Sequence, residues 1–154
     1  MRVAAPLVII GSVRSDTGEW TGSTNRPVLV RTGVPHREIM TCFAAAAVAV
    51  VPSRWQEPLG LVAIEAMAAG TPVVVTRVGA LPEVVTHEVT GLVVEPGDAG
   101  ALAEALDKVV SDPALQHAYG AAGRVRAQRF AASAIVPRVL DGYHQALATV
   151  VTTS

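Results

Sequence analysis

The feature that most constrains this chain is its alternation of short β-branched runs with longer segments rich in Ala and Leu. Strands that are apolar on both faces and separated by helical segments build parallel βα units. The pattern predicts strands over residues 7–10, 28–31, 48–51, 72–76 and 92–94. It predicts helices over 35–47, 59–69, 81–85, 99–111, 113–130 and 133–150. Local punctuation agrees: Gly70 closes the second helix and Pro72 opens the next strand. Asp98 stands as an N-cap before "AGALAEALDKVV", which carries Leu102, Leu106 and Val109 on one face. The expected architecture is α/β, a Rossmann-like parallel sheet with helices on both faces, in one domain over residues 1–154. One tract departs from the rhythm. "SVRSDTGEWTGSTNR", residues 12–26, is rich in Gly, Ser and Thr and has no apolar period. It predicts an irregular loop where a crossover helix would normally join two parallel strands.

Composition narrows the function classes. Apolar residues make up 51% of the 154 and charged residues 16%, which suits strands covered on both faces. A net charge of −1, with scattered basic residues, argues against nucleic acid or an anionic membrane surface as a partner. The N-terminal "MRVAAPLVIIG" reads as a strand ending at Gly11 rather than a signal peptide, because the fold pattern continues beyond it. No apolar run approaches the ~20 residues of a membrane span. Cys42 is the only cysteine and lies in a run that looks buried, which fits a reducing, cytoplasmic setting.

The chemistry concentrates in "EPLGLVAIEAMAAGTPVVV", residues 57–75, whose only charges are Glu57 and Glu65. The segment follows the carboxyl end of a strand, where open parallel sheets place their ligand crevice. Unpaired amides at a helix start attract phosphate, and Gly60 in the first turn leaves room for an anion. Glu57 precedes the helix, where it serves either a ligand or the helix dipole. Glu65 stands in a helix apolar nearly all round and therefore expected to be buried. A buried carboxylate needs a partner, either an arginine or the hydroxyls of a ligand. The four histidines, His36, His87, His117 and His144, are far apart in sequence and read as surface or packed imidazoles. No Asp-x-Asp pair and no His/Cys spacing suits a metal. Ser53 follows a strand but lacks a Gly-x-Ser-x-Gly elbow, so a hydrolase nucleophile is not expected.

From about residue 28 onward, "PSRWQEPLGLVAIEAMAAGTPVVVTRVGALPEVV" and "GLVVEPGDAGALAEAL" closely resemble the donor-binding domain of retaining GT-B glycosyltransferases, particularly glycosyltransferase family 4. That family's signature is two glutamates separated by seven residues, which Glu57 and Glu65 match. The resemblance implies that Glu57 contacts the donor sugar as the catalytic-site carboxylate. It implies that the amides of Leu59, Gly60, Leu61 and Val62 bind hydroxyls and diphosphate, and that Glu65 holds the ribose. It makes Gly33 and Val34, in "TGVPH", candidates for the nucleobase pocket. The family's Gly-Gly turn reads Gly79-Ala80 here, which puts contacts by Gly79 or Glu83 in doubt; Glu83 has a simple helix cap as its other reading. The implied donor is a UDP- or GDP-sugar, with no cofactor and no metal.

The resemblance covers only the donor side of a two-domain fold. An acceptor-binding domain has no counterpart in this sequence, nor has the donor domain's first βα unit, with the Arg and Lys that neutralise the leaving diphosphate. Residues 7–10 align with the family's second strand, which would leave exposed edges where a central strand belongs. Alternatively, that strand fills the central place, with Arg14 as a diphosphate contact. The last helix carries Val136, Leu140, Tyr143 and Leu147 as a stripe, facing either another domain or its own. The sequence therefore suggests a donor-binding domain completed by an acceptor-binding N-terminal domain or partner chain. Its rival is a non-catalytic truncated domain. Nucleotide-sugar epimerisation is a third reading, though those enzymes carry different donor-loop residues.

Overall fold

In a computed structural model the described residues are 6–11 and 28–151, so the 12–26 tract and Arg14 lie outside them. The elements follow the expected α/β order: β1 (Leu7–Ile10), β2 (Val28–Arg31), α1 (His36–Ala45), β3 (Ala49–Val51), α2 (Leu61–Ala69), β4 (Val73–Thr76), α3 (Leu81–Val84), β5 (Gly91–Val94), α4 (Ala99–Val110), α5 (Pro113–Ala127) and α6 (Ala132–Val151). A short 3-10 turn, Gln128–Phe130, separates α5 from α6, where the sequence predicted one helix to residue 130.

All strand pairings are parallel, but they form two sheets. β3, β4 and β5 make one, in that order, with Ala49 opposite Val73 and Val73 opposite Gly91. β1 and β2 make the other, with Leu7 opposite Val28. β1 is therefore not inserted beside β3. Among the described residues its far edge is unpaired, the arrangement expected if residues 7–10 are not the central strand.

The core belongs to the three-stranded sheet. Val73 and Val75 turn one face of β4 toward Ala63, Ala66 and Met67 of α2 and toward Leu81 and Val84 of α3. Val74, on the opposite face, packs with Leu92, Ala105, Val109 and Tyr119, so α4 and α5 cover that side. Each Val, Leu or Met among them contributes about 1.5–3 kcal/mol on full burial. Helix ends follow the sequence signals. Asp98 accepts the amide of Ala101 at 2.8 Å and Asp112 that of Leu115 at 3.0 Å, each capping its helix. Gly70 ends α2, and Arg124 donates to the Ala69 carbonyl there at 3.0 Å.

One expectation about burial fails here. Cys42 is exposed, because α1 buries none of its residues completely. The α6 stripe also faces solvent: Val136, Leu140, Tyr143 and Leu147 are all exposed, although packing on the domain was one of its two readings. Among the described residues no helix is long and apolar enough to cross a membrane.

Candidate functional site

The loop between β3 and α2 is held from below. Thr76 at the end of β4 donates its hydroxyl to the Ser53 carbonyl at 2.6 Å. Buried Ser53 in turn donates its Oγ to Glu57 Oε1 at 2.7 Å. One oxygen of Glu57 is thereby fixed while the side chain stays half-buried at the surface. The turn at Gly79 and Ala80 supports the same loop. Ala80 donates its amide to the Glu57 carbonyl at 2.8 Å, and Gly79 donates its amide to Gln56 Oε1 at 2.9 Å. Gly79 has φ 51°, and a Cβ there would fall 2.2 Å from the Glu57 carbonyl oxygen, so only glycine permits this approach. Ala80 has an ordinary φ of −78°, so replacing the family's second glycine imposes no backbone strain. Gly79 spends its amide within the protein. The Glu83 side chain is exposed, and α3 has no side-chain cap.

Helix α2 begins at Leu61, two residues later than the sequence suggests, because Gly60 is its N-cap in the left-handed region at φ 71°. A Cβ on Gly60 would lie 2.6 Å from Leu81, so this glycine serves its own backbone and the close packing of α3. The expectation that its missing side chain clears space for an anion is corrected accordingly. The amides of Ala63 and Ile64 donate to the Gly60 carbonyl. No side chain caps the helix, and among the described residues the amides of Leu61 and Val62 have no acceptor. Trp55, Leu59, Leu61 and Val62 are exposed around this entrance.

Glu65 lies one turn beyond Leu61 on the same exposed strip of α2, while Ala63, Ile64, Ala66 and Met67 take the buried face. Its side chain is 22% exposed rather than buried, and its partner is not an arginine. His36 Nε2 lies 2.8 Å from Glu65 Oε1. His36 opens α1 directly after the loop that holds exposed Gly33, with φ 65°, and half-buried Val34. The structure thus joins the two halves of the expected site: the Glu57 loop and the amides at one end of α2, and the Gly33–Val34 loop tied to Glu65 through His36. Sequence reasoning missed Ser53 and His36 as supports. Their signals were present, a hydroxyl at a strand's carboxyl end and an imidazole at the first helical residue after Gly-Val-Pro.

Two hollows lie elsewhere on the surface. One of about 330 Å³ is lined by Thr86, Val89, Ala122 and Arg126, among others. Another of about 200 Å³ lies at the carboxyl ends of β3, β4 and β5, against Arg54, Thr76 and Asp98. Neither includes Glu57 or Glu65.

The α/β unit of parallel strands flanked by helices has glycosyltransferases of the GT-B fold as its structural neighbours. Sucrose-phosphate synthase from Thermosynechococcus elongatus superposes with a TM-score of 0.74 at 44% identity, over 79% of this chain and 31% of that one. Anabaena Alr3699/HepE in complex with UDP-glucose superposes at 0.71 with 27% identity, over 79% of this chain and 33% of the other. Residues 4–126 match the family model "Glycosyl transferases group 1", and the chain belongs to that family. The match begins before β1 and ends within α5, whereas the visible sequence resemblance ran from about residue 28 to the C-terminus. D-inositol 3-phosphate glycosyltransferase from Pseudarthrobacter chlorophenolicus is 43% identical over 110 residues, 71% of this chain and 26% of the relative. The chain spans about a quarter of the length of the curated relatives it matches.

Proposed function

We propose that this chain is the donor-binding part of a retaining glycosyltransferase of family 4, taking a UDP- or GDP-sugar without a resident metal. The observation that carries the reading is the open start of α2 between two braced carboxylates: Glu57 held by Ser53, and Glu65 held by His36. Free amides at Leu61 and Val62, with Leu59 and Gly60 before them, are suited to a diphosphate. Glu57 engages the sugar beside the reacting carbon. Glu65 accepts from the ribose hydroxyls, and Gly33 and Val34 border the base. A bound UDP-glucose in a structural relative supports the choice of ligand class. An exposed helix start suits a reaction completed by an acceptor-binding domain or partner chain. The same reading places the chain in the cytoplasm, where exposed Cys42 stays reduced.

Calorimetric titration with UDP, GDP and their sugars tests this. Saturable binding to one of them is expected, weakened in Glu65→Gln with the melting temperature nearly unchanged. A well-folded chain that binds none of them would overturn the reading. A second reading, a companion subunit without catalysis of its own, draws on the edge of β1, unpaired among the described residues, and the exposed stripe of α6. It predicts binding of an acceptor-domain protein with no nucleotide bound.

A further inference from the structure

A carboxylate that receives two neighbouring hydroxyls needs a fixed orientation, because each hydroxyl bond is strong only over a narrow range of angles. A glutamate at a helix surface does not have that orientation by itself. Its three side-chain torsions are free unless something holds them. Glu65 is held by one described partner, His36, through Oε1 at 2.8 Å. The two residues lie 29 positions apart, so the contact is tertiary, made where α1 packs on α2. His36 is itself well placed, since the backbone turn that starts α1 is closed by the amides of Glu38 and Ile39 donating to the Pro35 carbonyl.

We propose that His36 is the positioning residue for Glu65: its imidazole Nε2–H clamps Oε1 and leaves Oε2 turned to the cleft for the ribose diol. This rests on the donor-site reading above, in which Glu65 meets the ribose. The proton sits on Nε2 because the neighbouring atom is a carboxylate oxygen, which can only accept. An ionised carboxylate has about four lone-pair sites, so one bond to His36 leaves enough acceptors for two hydroxyls. His36 at 67% exposure is too solvated for this pair to matter much to folding. Its effect falls on the orientation of the carboxylate instead. His36 also follows Gly33, Val34 and Pro35 without a break in the chain. Any shift of that loop on a base is therefore transmitted to the carboxylate that holds the sugar attached to the base.

The test is titration of the 154-residue chain, as wild type, His36→Ala, His36→Gln and Glu65→Gln, with UDP and with 2′,3′-dideoxy-UDP. His36→Ala should weaken UDP about five- to tenfold, the range for loss of one ordinary hydrogen bond, and leave the dideoxy nucleotide unchanged. His36→Gln keeps a donor and should recover part of the loss. In Glu65→Gln the preference for UDP over its dideoxy form should disappear. Equal loss on both nucleotides in His36→Ala, or no loss on either, would overturn the proposal while leaving the donor reading in place. A wild-type chain that binds UDP and dideoxy-UDP alike would instead remove Glu65 from the ribose, and with it the reading on which the proposal stands.

Discussion

Two parallel sheets in one chain, both dominated by aliphatic residues, have opposite fates. In β4, Val73, Val74 and Val75 are 0% exposed. In β1 and β2, Leu7, Val8, Leu29 and Val30 are 43–49% exposed. Strand composition does not explain the difference. The covering helices do. β3, β4 and β5 are connected through α2, and through α3 with the turn that follows it, and α4 and α5 close the other face. Between β1 and β2 the sequence offers no apolar helical period, and α1, which follows β2, leaves all its residues at least partly exposed. A parallel strand becomes core only when amphipathic helices cover both its faces. The better-buried sheet also carries the Glu57 loop, so Glu57 stands on the well-covered half. The Gly33–Val34 loop stands on the exposed half and is joined to the covered one through His36 and Glu65.

The comparison breaks most readily in the core. Met67→Ala removes a fully buried side chain of α2 and should cost about 2–5 kcal/mol in chemical denaturation, whereas Leu29→Ala on the exposed sheet should cost under about 1 kcal/mol. Comparable losses would mean that both sheets share one core. Next comes Gly79→Ala, which places a Cβ against the Glu57 backbone at a positive φ. A loss of about 1–3 kcal/mol is expected, with weaker nucleotide binding because the Glu57 loop moves. An unchanged melting temperature and affinity would show that the turn does not brace the site. The smallest effect should come from Val30→Thr, within about 0.5 kcal/mol by thermal melting, since that side chain is already half in water. A large drop there would reveal that the β1–β2 sheet is covered in solution.

Much of the candidate site's layout was legible in the sequence. Glu57, Glu65 and the start of α2 could be placed because strand ends, helix starts and a two-glutamate spacing are local signals, and the structure keeps them on one loop and one helix face. Glu65's environment was not legible. The run "LVAIEAMAA" looks buried all round, yet α2 turns Leu61, Val62 and Glu65 outward because only one side of it meets β4 and α5. Gly60 was misread for the same reason. Its need for glycine comes from Leu81, 21 residues away in sequence. The contacts of Ser53 and His36 with the two carboxylates were not legible, because their partners lie 4 and 29 positions away.

By itself, then, the sequence determined which segments are strands and helices, which helix ends are capped, and which two carboxylates frame a helix start. Those properties depend on period, caps and glycines within a few residues of chain. Tertiary structure alone decided that the strands divide into two sheets, that Cys42 and the α6 stripe face water, and that His36 meets Glu65. Burial and pairing depend on which surfaces come together across long separations, and a periodic apolar pattern is compatible with several such arrangements.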